Sequence, residues 1–269
     1  MAIYSCNDDN EDVKGNTPAV PLPDTCLLSN VNTGAPASSI SLVYDSVTYL
    51  PISGNVGTAV KLTYEYNNSE YKLISMPAQR SDTTSVINIT VDADKKALVL
   101  RSKTLNLGST FVYNTQTFSY NSDKTLKGIS SFSYSKSALG GAPTDSSYSE
   151  EKIYWTNGNL TTDSVFAILY KGTPQETKVL SFIKKWEFGT QPDVKGVSEW
   201  FVNTTYIAKL FGVTSKNLVT KVIVQQPAGA TTEVVVSYLL NANKWPTNVT
   251  LSGAQTGGAS YNYTCYKRK

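Results

Sequence analysis

Beyond Ser39 the chain is punctuated by one recurring unit: an aromatic residue, a short polar turn, then an apolar run. Tyr64-Glu65-Tyr66 leads through Asn67-Asn68-Ser69-Glu70 into Tyr71-Lys72-Leu73. Phe118-Ser119-Tyr120 leads through Asn121-Ser122-Asp123-Lys124 to Leu126. Tyr154-Trp155 precedes Asn157-Gly158-Asn159-Leu160, Tyr238 precedes Asn241-Ala242-Asn243-Lys244-Trp245, and Tyr261-Asn262-Tyr263 stands near the end. The unit reads as a strand end, a tight reversal and a strand start, because Asn, Asp and Gly accept the positive φ that short hairpins demand. Asn157-Gly158 is the strongest of these signals, since both central residues of a type I′ turn need φ > 0. Between turns, Val60–Tyr66 and Val86–Val91 alternate apolar with polar residues, as a strand with one buried face does. The pattern predicts an all-β chain: a large, twisted antiparallel meander curled towards a barrel. The spacing drifts, so the units are not a strict solenoid repeat. One stretch differs. Tyr206-Ile207-Ala208-Lys209-Leu210-Phe211 has apolar residues three and four apart, with Asn203, Thr204 or Thr205 to cap it and Gly212 at C′. That predicts a short helix near 204–211 which plugs one end of the sheet.

Composition removes whole classes of chemistry. There is no His among 269 residues, so an imidazole base and a Ser-His or Cys-His nucleophile are excluded. Three scattered Cys cannot make a Cys-only zinc or iron–sulfur site, and no cofactor or metal is expected. No phosphate-cradling or nucleophile-elbow motif occurs. The net charge of +3 includes a basic end, Lys267-Arg268-Lys269, but the other cations are scattered, which argues against nucleic acid. No run approaches the ~18 apolar residues of a membrane-spanning helix. The Ser/Thr-rich strands also lack the continuous outward apolar band with aromatic girdles that a transmembrane barrel needs. A barrel outside the bilayer is therefore expected, with a complete transmembrane barrel as the competing architecture.

The start of the chain speaks to location. A small residue, Ser5, precedes Cys6, and Asn7-Asp8-Asp9-Asn10-Glu11-Asp12 follows. This is similar to a bacterial lipoprotein processing site, in which the Cys thiol carries the lipid anchor. The acids do not fit an EF-hand loop, which needs Gly and Glu at fixed places. Pro18, Pro21, Pro23 and Pro36 fall in the next stretch. Residues 1–36 are thus expected to be a lipoprotein start and flexible tether, and residues 37–269 a single β domain. Cys26 and Cys265 remain. In an oxidising compartment they can form a disulfide that joins the first and last segments, or they can stay as free thiols.

Taken together, the Cys6-acidic start, the aromatic-turn-Leu units, the segment Leu210-Phe211-Gly212-Val213-Thr214-Ser215-Lys216-Asn217-Leu218, and the ending Val236-Ser237-Tyr238 … Tyr261-Asn262-Tyr263-Thr264 resemble a Bacteroidetes lipoprotein family of unknown function with a porin-like fold. The resemblance covers about residues 60–266. It implies a porin-like fold and a cell-envelope location, outer-membrane-anchored and on the periplasmic or surface side, with membrane lipid as a partner through the anchor. It carries no catalytic residues. The same envelope setting gives meaning to Asp45-Ser46-Val47, Asp82-Thr83-Thr84 and Asp163-Ser164-Val165, which match the Asp-Ser/Thr pattern of O-glycosylation there.

The expected function is a non-catalytic binding module for a glycan or other amphipathic ligand, with Trp155, Trp186, Trp200 and Trp245 as the candidate contact residues. Flat rings with polar edges stack on sugars, although most aromatics serve the core. Trp245, next to Pro246 in a polar turn, is the one expected to be exposed. A structural or assembly component of an envelope complex is the alternative, with an envelope protein as partner. A carboxylate-dependent glycoside hydrolase ranks third. Its candidate acids are Glu65, Glu187, Glu199 and Glu233, and it requires two of them to face one cleft.

Overall fold

The computed structural model describes residues 25–33, 39–77, 84–106, 110–193, 195, 210–212 and 214–266. They form sixteen antiparallel strands that close into one barrel in simple up-and-down order. The strands are β1 (Thr25–Asn32), β2 (Ile40–Tyr44), β3 (Pro51–Val56), β4 (Val60–Tyr66), β5 (Glu70–Pro77), β6 (Ser85–Val91), β7 (Ala97–Asn106) and β8 (Thr110–Tyr120). The second half comprises β9 (Leu126–Ser137), β10 (Thr144–Thr156), β11 (Asn159–Leu169), β12 (Thr177–Pro192), β13 (Asn217–Gln225), β14 (Thr231–Leu240), β15 (Pro246–Gly253) and β16 (Gly257–Tyr266). The all-β meander is as expected, and its curl is completed to a closed ring, which leaves no free sheet edge.

Closure depends on β1, which lies inside the stretch read as a tether. The prolines around it hid the strand Thr25–Asn32, so the barrel begins well before residue 37. β1 pairs with β16, and Cys26 sits opposite Cys265 with their sulfurs joined at 2.04 Å. Of the predicted helix, residues 204–209 lie outside the described residues. Leu210 and Phe211 form a turn there, and among the described residues there is no helix. Leu210 is fully buried and Phe211 packs 5.0 Å from the Phe118 ring, so this turn does plug one end.

That end is the base, where the short turns gather. Asp45, Asn67 and Asn241 each accept backbone N–H groups two to four residues ahead, which replaces the ladder bonds a reversal loses. Lys95, Lys124 and Lys244 all adopt positive φ at the same place in their turns. Asn157 and Gly158 have φ of 52° and 77°, the type I′ geometry read from the sequence.

Aromatics from most of these units have a specific task at this base, while the Tyr238 hydroxyl is buried without a partner. The Tyr66 hydroxyl donates to the Pro51 carbonyl at 2.6 Å, Tyr120 to Ala97 at 2.7 Å, and Tyr263 to Pro246 at 2.7 Å. The Trp155 indole N–H donates to Leu126 at 2.8 Å, and Tyr44 to Leu28 at 2.9 Å. In every case an even strand clasps the strand before it, and Tyr66, Tyr120 and Trp155 thereby join one base hairpin to the next. Burial raises the hydroxyl pKa of Tyr44, Tyr66, Tyr120 and Tyr263, so they stay protonated donors.

One cluster of buried residues, including Leu28, Leu62, Ile89, Phe118, Trp186 and Val249, draws on strands all round the ring. Such a cluster can only lie inside the barrel, so its side chains fix which face of each strand points inwards. Further from the base the inward positions become small and polar. Gln116 pairs with Ser131, Asn114 with Ser133, and Ser131 and Ser133 with Ser149 and Ser147. The Ser133 and Ser147 hydroxyls, 2.8 Å apart, are exposed, so solvent reaches this inner wall. The lumen thus has an apolar base and a wet upper half.

Candidate binding site in the barrel lumen

The boundary between the two halves carries charge. Strand alternation places Gln116 in phase with Phe118, Glu151 with Ile153, and Lys184 with Trp186, all inward. Across the strands, Glu151 pairs with Ile129, Ile153 with Asp163, and Asp163 with Lys184. These residues line a cavity of about 220 Å³. Its polar members are Gln116, Glu151, Asp163 and Lys184, and its apolar wall includes Phe118, Ile153, Leu160, Trp186 and Phe211. Leu160 is held by its own N–H, which donates to the Ser215 hydroxyl at 3.1 Å.

The electrostatics of this site are tense. Asp163 is only 5% exposed, and its Oδ1 has no hydrogen-bond partner. Burial raises its pKa, and Lys184 offsets part of that. Glu151 is pushed up to about 7, first by burial and then by the Asp163 charge, against the pull of Lys184. The Lys184 ammonium stands 5.2 Å from the Phe182 ring centroid. An unpaired buried acceptor costs on the order of 1–3 kcal/mol, so this arrangement is maintained against its own desolvation.

Of the residues singled out in the sequence, Trp186 lines the cavity. Trp155 packs against the core and serves as a clasp. Trp245 is half-buried in its turn, 5.5 Å from Tyr263, with the Lys195 ammonium 3.8 Å above its ring. Trp200, Glu199 and Cys6 lie outside the described residues. Glu65 faces outwards with Lys72 at 2.9 Å, and Glu187 and Glu233 flank Lys221 at 3.6 and 3.7 Å, so none of these three acids enters the lumen. Asp163 turns inwards, while its neighbour Ser164 is on the outer face opposite Lys152.

The sequence reading missed Glu151, Asp163 and Lys184. A signal was present: Glu151 is two residues from Ile153, Asp163 two from Val165, and Lys184 two from Trp186, on three successive strands. The candidate acids Glu65 and Glu187 stand directly beside aromatics, and alternation turns such acids to the opposite face from their neighbours.

A second feature lies outside. Phe111, Tyr113, Tyr134, Phe132 and Tyr148 face outwards on β8–β10 with successive ring separations of 6.4, 4.8, 5.6 and 4.5 Å. Lys103 stands 4.0 Å over Phe111, and Lys152 stands 5.6 Å over Phe166 on β11. The opposite wall presents Asn30, Ser53, Asn55, Lys61, Ser260 and Asn262 on the same outer face. The expectation of no outward apolar band therefore fails on β8–β11, where an aromatic patch covers one side of the barrel, while the opposite wall is mostly polar with exposed Val43 and Ile52 among its polar groups.

No family model and no curated protein matches this chain. Among solved structures, a porin-like protein from Bacteroides vulgatus superposes with a TM-score of 0.61 at 12% identity, covering 88% of this chain and 99% of its own. A porin-like protein from Bacteroides uniformis superposes with a TM-score of 0.51 at 16% identity, covering 91% of this chain and 98% of its own. At these identities the likeness establishes a shared architecture, a porin-like closed β-barrel.

Proposed function

We propose that this chain is a cell-envelope lipoprotein, anchored to the outer membrane through Cys6, whose barrel acts as a non-catalytic module for an amphipathic ligand. The observation that carries the reading is the lumen cavity, which sets Trp186 and Phe118 beside Gln116, Glu151, Asp163 and Lys184 at the edge of a solvent-reached upper lumen. Ring-sized apolar bodies fit such a wall, and the few convergent polar groups fix their orientation. The porin-like fold and the Cys26–Cys265 pair suit an envelope compartment where disulfides persist.

The test is native mass spectrometry of residues 20–269 against monosaccharides, glycan fragments and small amphiphiles, repeated with Trp186→Ala. A stoichiometric adduct that the variant loses supports the reading, and its absence across the panel refutes it. Anchoring is tested separately, by incorporation of a labelled fatty acid into the chain expressed behind a lipoprotein signal, with Cys6→Ser as the control.

The one-sided aromatic patch on β8–β11 favours a second reading, an assembly component that docks this wall on an envelope protein. Crosslinking from Tyr134 and Tyr148 in cells would recover that partner. Two acids do face one cavity, as a glycoside hydrolase requires. Here, however, a cation shares the cavity with them, with Lys184 opposite Asp163. Release of nitrophenol from aryl glycosides, lost in Glu151→Gln, would shift the assignment to hydrolysis.

A further inference from the structure

We propose that the lumen site takes an amine cation on an apolar body, its ammonium seated between Asp163 and Glu151. This rests on the lumen being the binding site and names the class of ligand it selects. The buried Asp163 Oδ1, without a partner, asks for a donor that arrives from the cavity. Two acids stand against one cation, and that cation is drawn towards Phe182, so the site has acceptor and negative charge to spare. An anionic ligand would meet Asp163 and Glu151 as like charges. A neutral alcohol would satisfy Oδ1 but leave both carboxyls desolvated, with the Asp163 charge still acting on Glu151. An ammonium relieves both at once. The faces of Phe118, Trp186 and Phe211 accept the apolar body and add attraction for positive charge.

The chemistry carries its own signature. The charged groups facing Glu151 are Asp163 from β11 and Lys184 from β12; β8 and β9 present the uncharged Gln116 and Ile129. An incoming ammonium favours the ionised form of Glu151, so binding releases a proton and tightens as pH rises. A proton that leaves near pH 7 gives up to about tenfold between pH 6 and pH 8.

The experiment is isothermal titration of the wild-type chain with phenethylamine and with its neutral isostere 2-phenylethanol, at pH 6 and pH 8. The expected result is amine binding at least about tenfold tighter than alcohol binding, an increase towards pH 8, and proton release in buffers of different ionisation heat. Asp163→Asn is expected to lose at least about tenfold for the amine and little for the alcohol, and Glu151→Gln to abolish the pH dependence while still melting cooperatively. Equal binding of the two probes, or a pH-independent amine affinity unaffected by either variant, overturns this inference and leaves the lumen reading standing. Binding of neither probe at millimolar concentration refutes the amine assignment, and the monosaccharide and amphiphile panel then decides the lumen reading on its own.

Discussion

Glu151→Gln tests whether the lumen charge cluster is as strained as its geometry implies. The Glu151 carboxyl moves from an ordinary value of 4.5 to about 7 on folding. At pH below 4.5 it is protonated in both states and contributes no penalty. As pH rises through the window from 4.5 to 7, the unfolded chain ionises first, so the folded state holds the extra proton and stability falls. Each tenfold change in proton affinity is worth about 1.4 kcal/mol, which sets a ceiling of about 3 kcal/mol for the full window. Glu151 borders the wet upper lumen, and solvent screening reduces this to about 1–2 kcal/mol. Gln keeps the shape and hydrogen-bonding capacity and does not ionise. Urea unfolding at pH 5, 6, 7 and 8 should therefore show Glu151→Gln gaining on the wild type by about 1–2 kcal/mol between pH 5 and pH 8. Parallel stability curves would mean that Glu151 is solvated, and the account of a desolvated acid pair would fall with it.

Other perturbations address the base. Tyr120→Phe removes a clasp and strands the Ala97 carbonyl, so it should cost about 1–2 kcal/mol in chemical denaturation. Tyr238→Phe should be neutral or stabilising, because the Tyr238 hydroxyl is buried without a partner; equal losses in the two variants would contradict the clasp argument. Gly212 has φ of +91°, and a Cβ there would lie 2.3 Å from the Lys124 carbonyl oxygen, so Gly212→Ala should lower the melting temperature measurably. Replacing Cys26 and Cys265 by Ser opens a loop with a sequence separation of 239 and should cost about 3–5 kcal/mol, read as a lower melting temperature that reductant no longer changes.

Local chemistry was legible in the sequence and closure was not. Turn residues act within four positions, so Asn157-Gly158 and the Asn121 and Asn241 reversals state their geometry in the chain itself. Closing a ring depends on whether the first strand reaches the last. That strand, Thr25–Asn32, carries Cys26, Leu27, Leu28 and Val31 too briefly, among prolines and glycines, to announce itself. The aromatic units were visible as a repeat, but their work as clasps was not, since each hydroxyl finds its carbonyl on a neighbouring strand. The lumen site was hidden for a related reason. Alternation sorts Glu151 and Glu150 onto opposite faces, and only the closed ring says which face is inside.

The absence of His points to a protein without proton chemistry near neutral pH, and the lumen alters that conclusion. A carboxyl gains a neutral-range proton affinity when burial and a second acid both disfavour its charge, and Asp163 supplies the second acid from the neighbouring strand. Holding two acids there requires a wall that does not yield, because a yielding wall would let them separate and rehydrate. The clasps provide that wall: Trp155 ties the end of β10, two residues beyond Ile153, to the start of β9, and Tyr120 ties the end of β8, two residues beyond Phe118, to the start of β7. Phe118 and Ile153 are themselves cavity residues. The aromatic-turn units that most constrain the fold therefore also fix the floor on which the charged site rests, and loosening Trp155 should relax the pH dependence of Glu151 as well as the stability of the barrel.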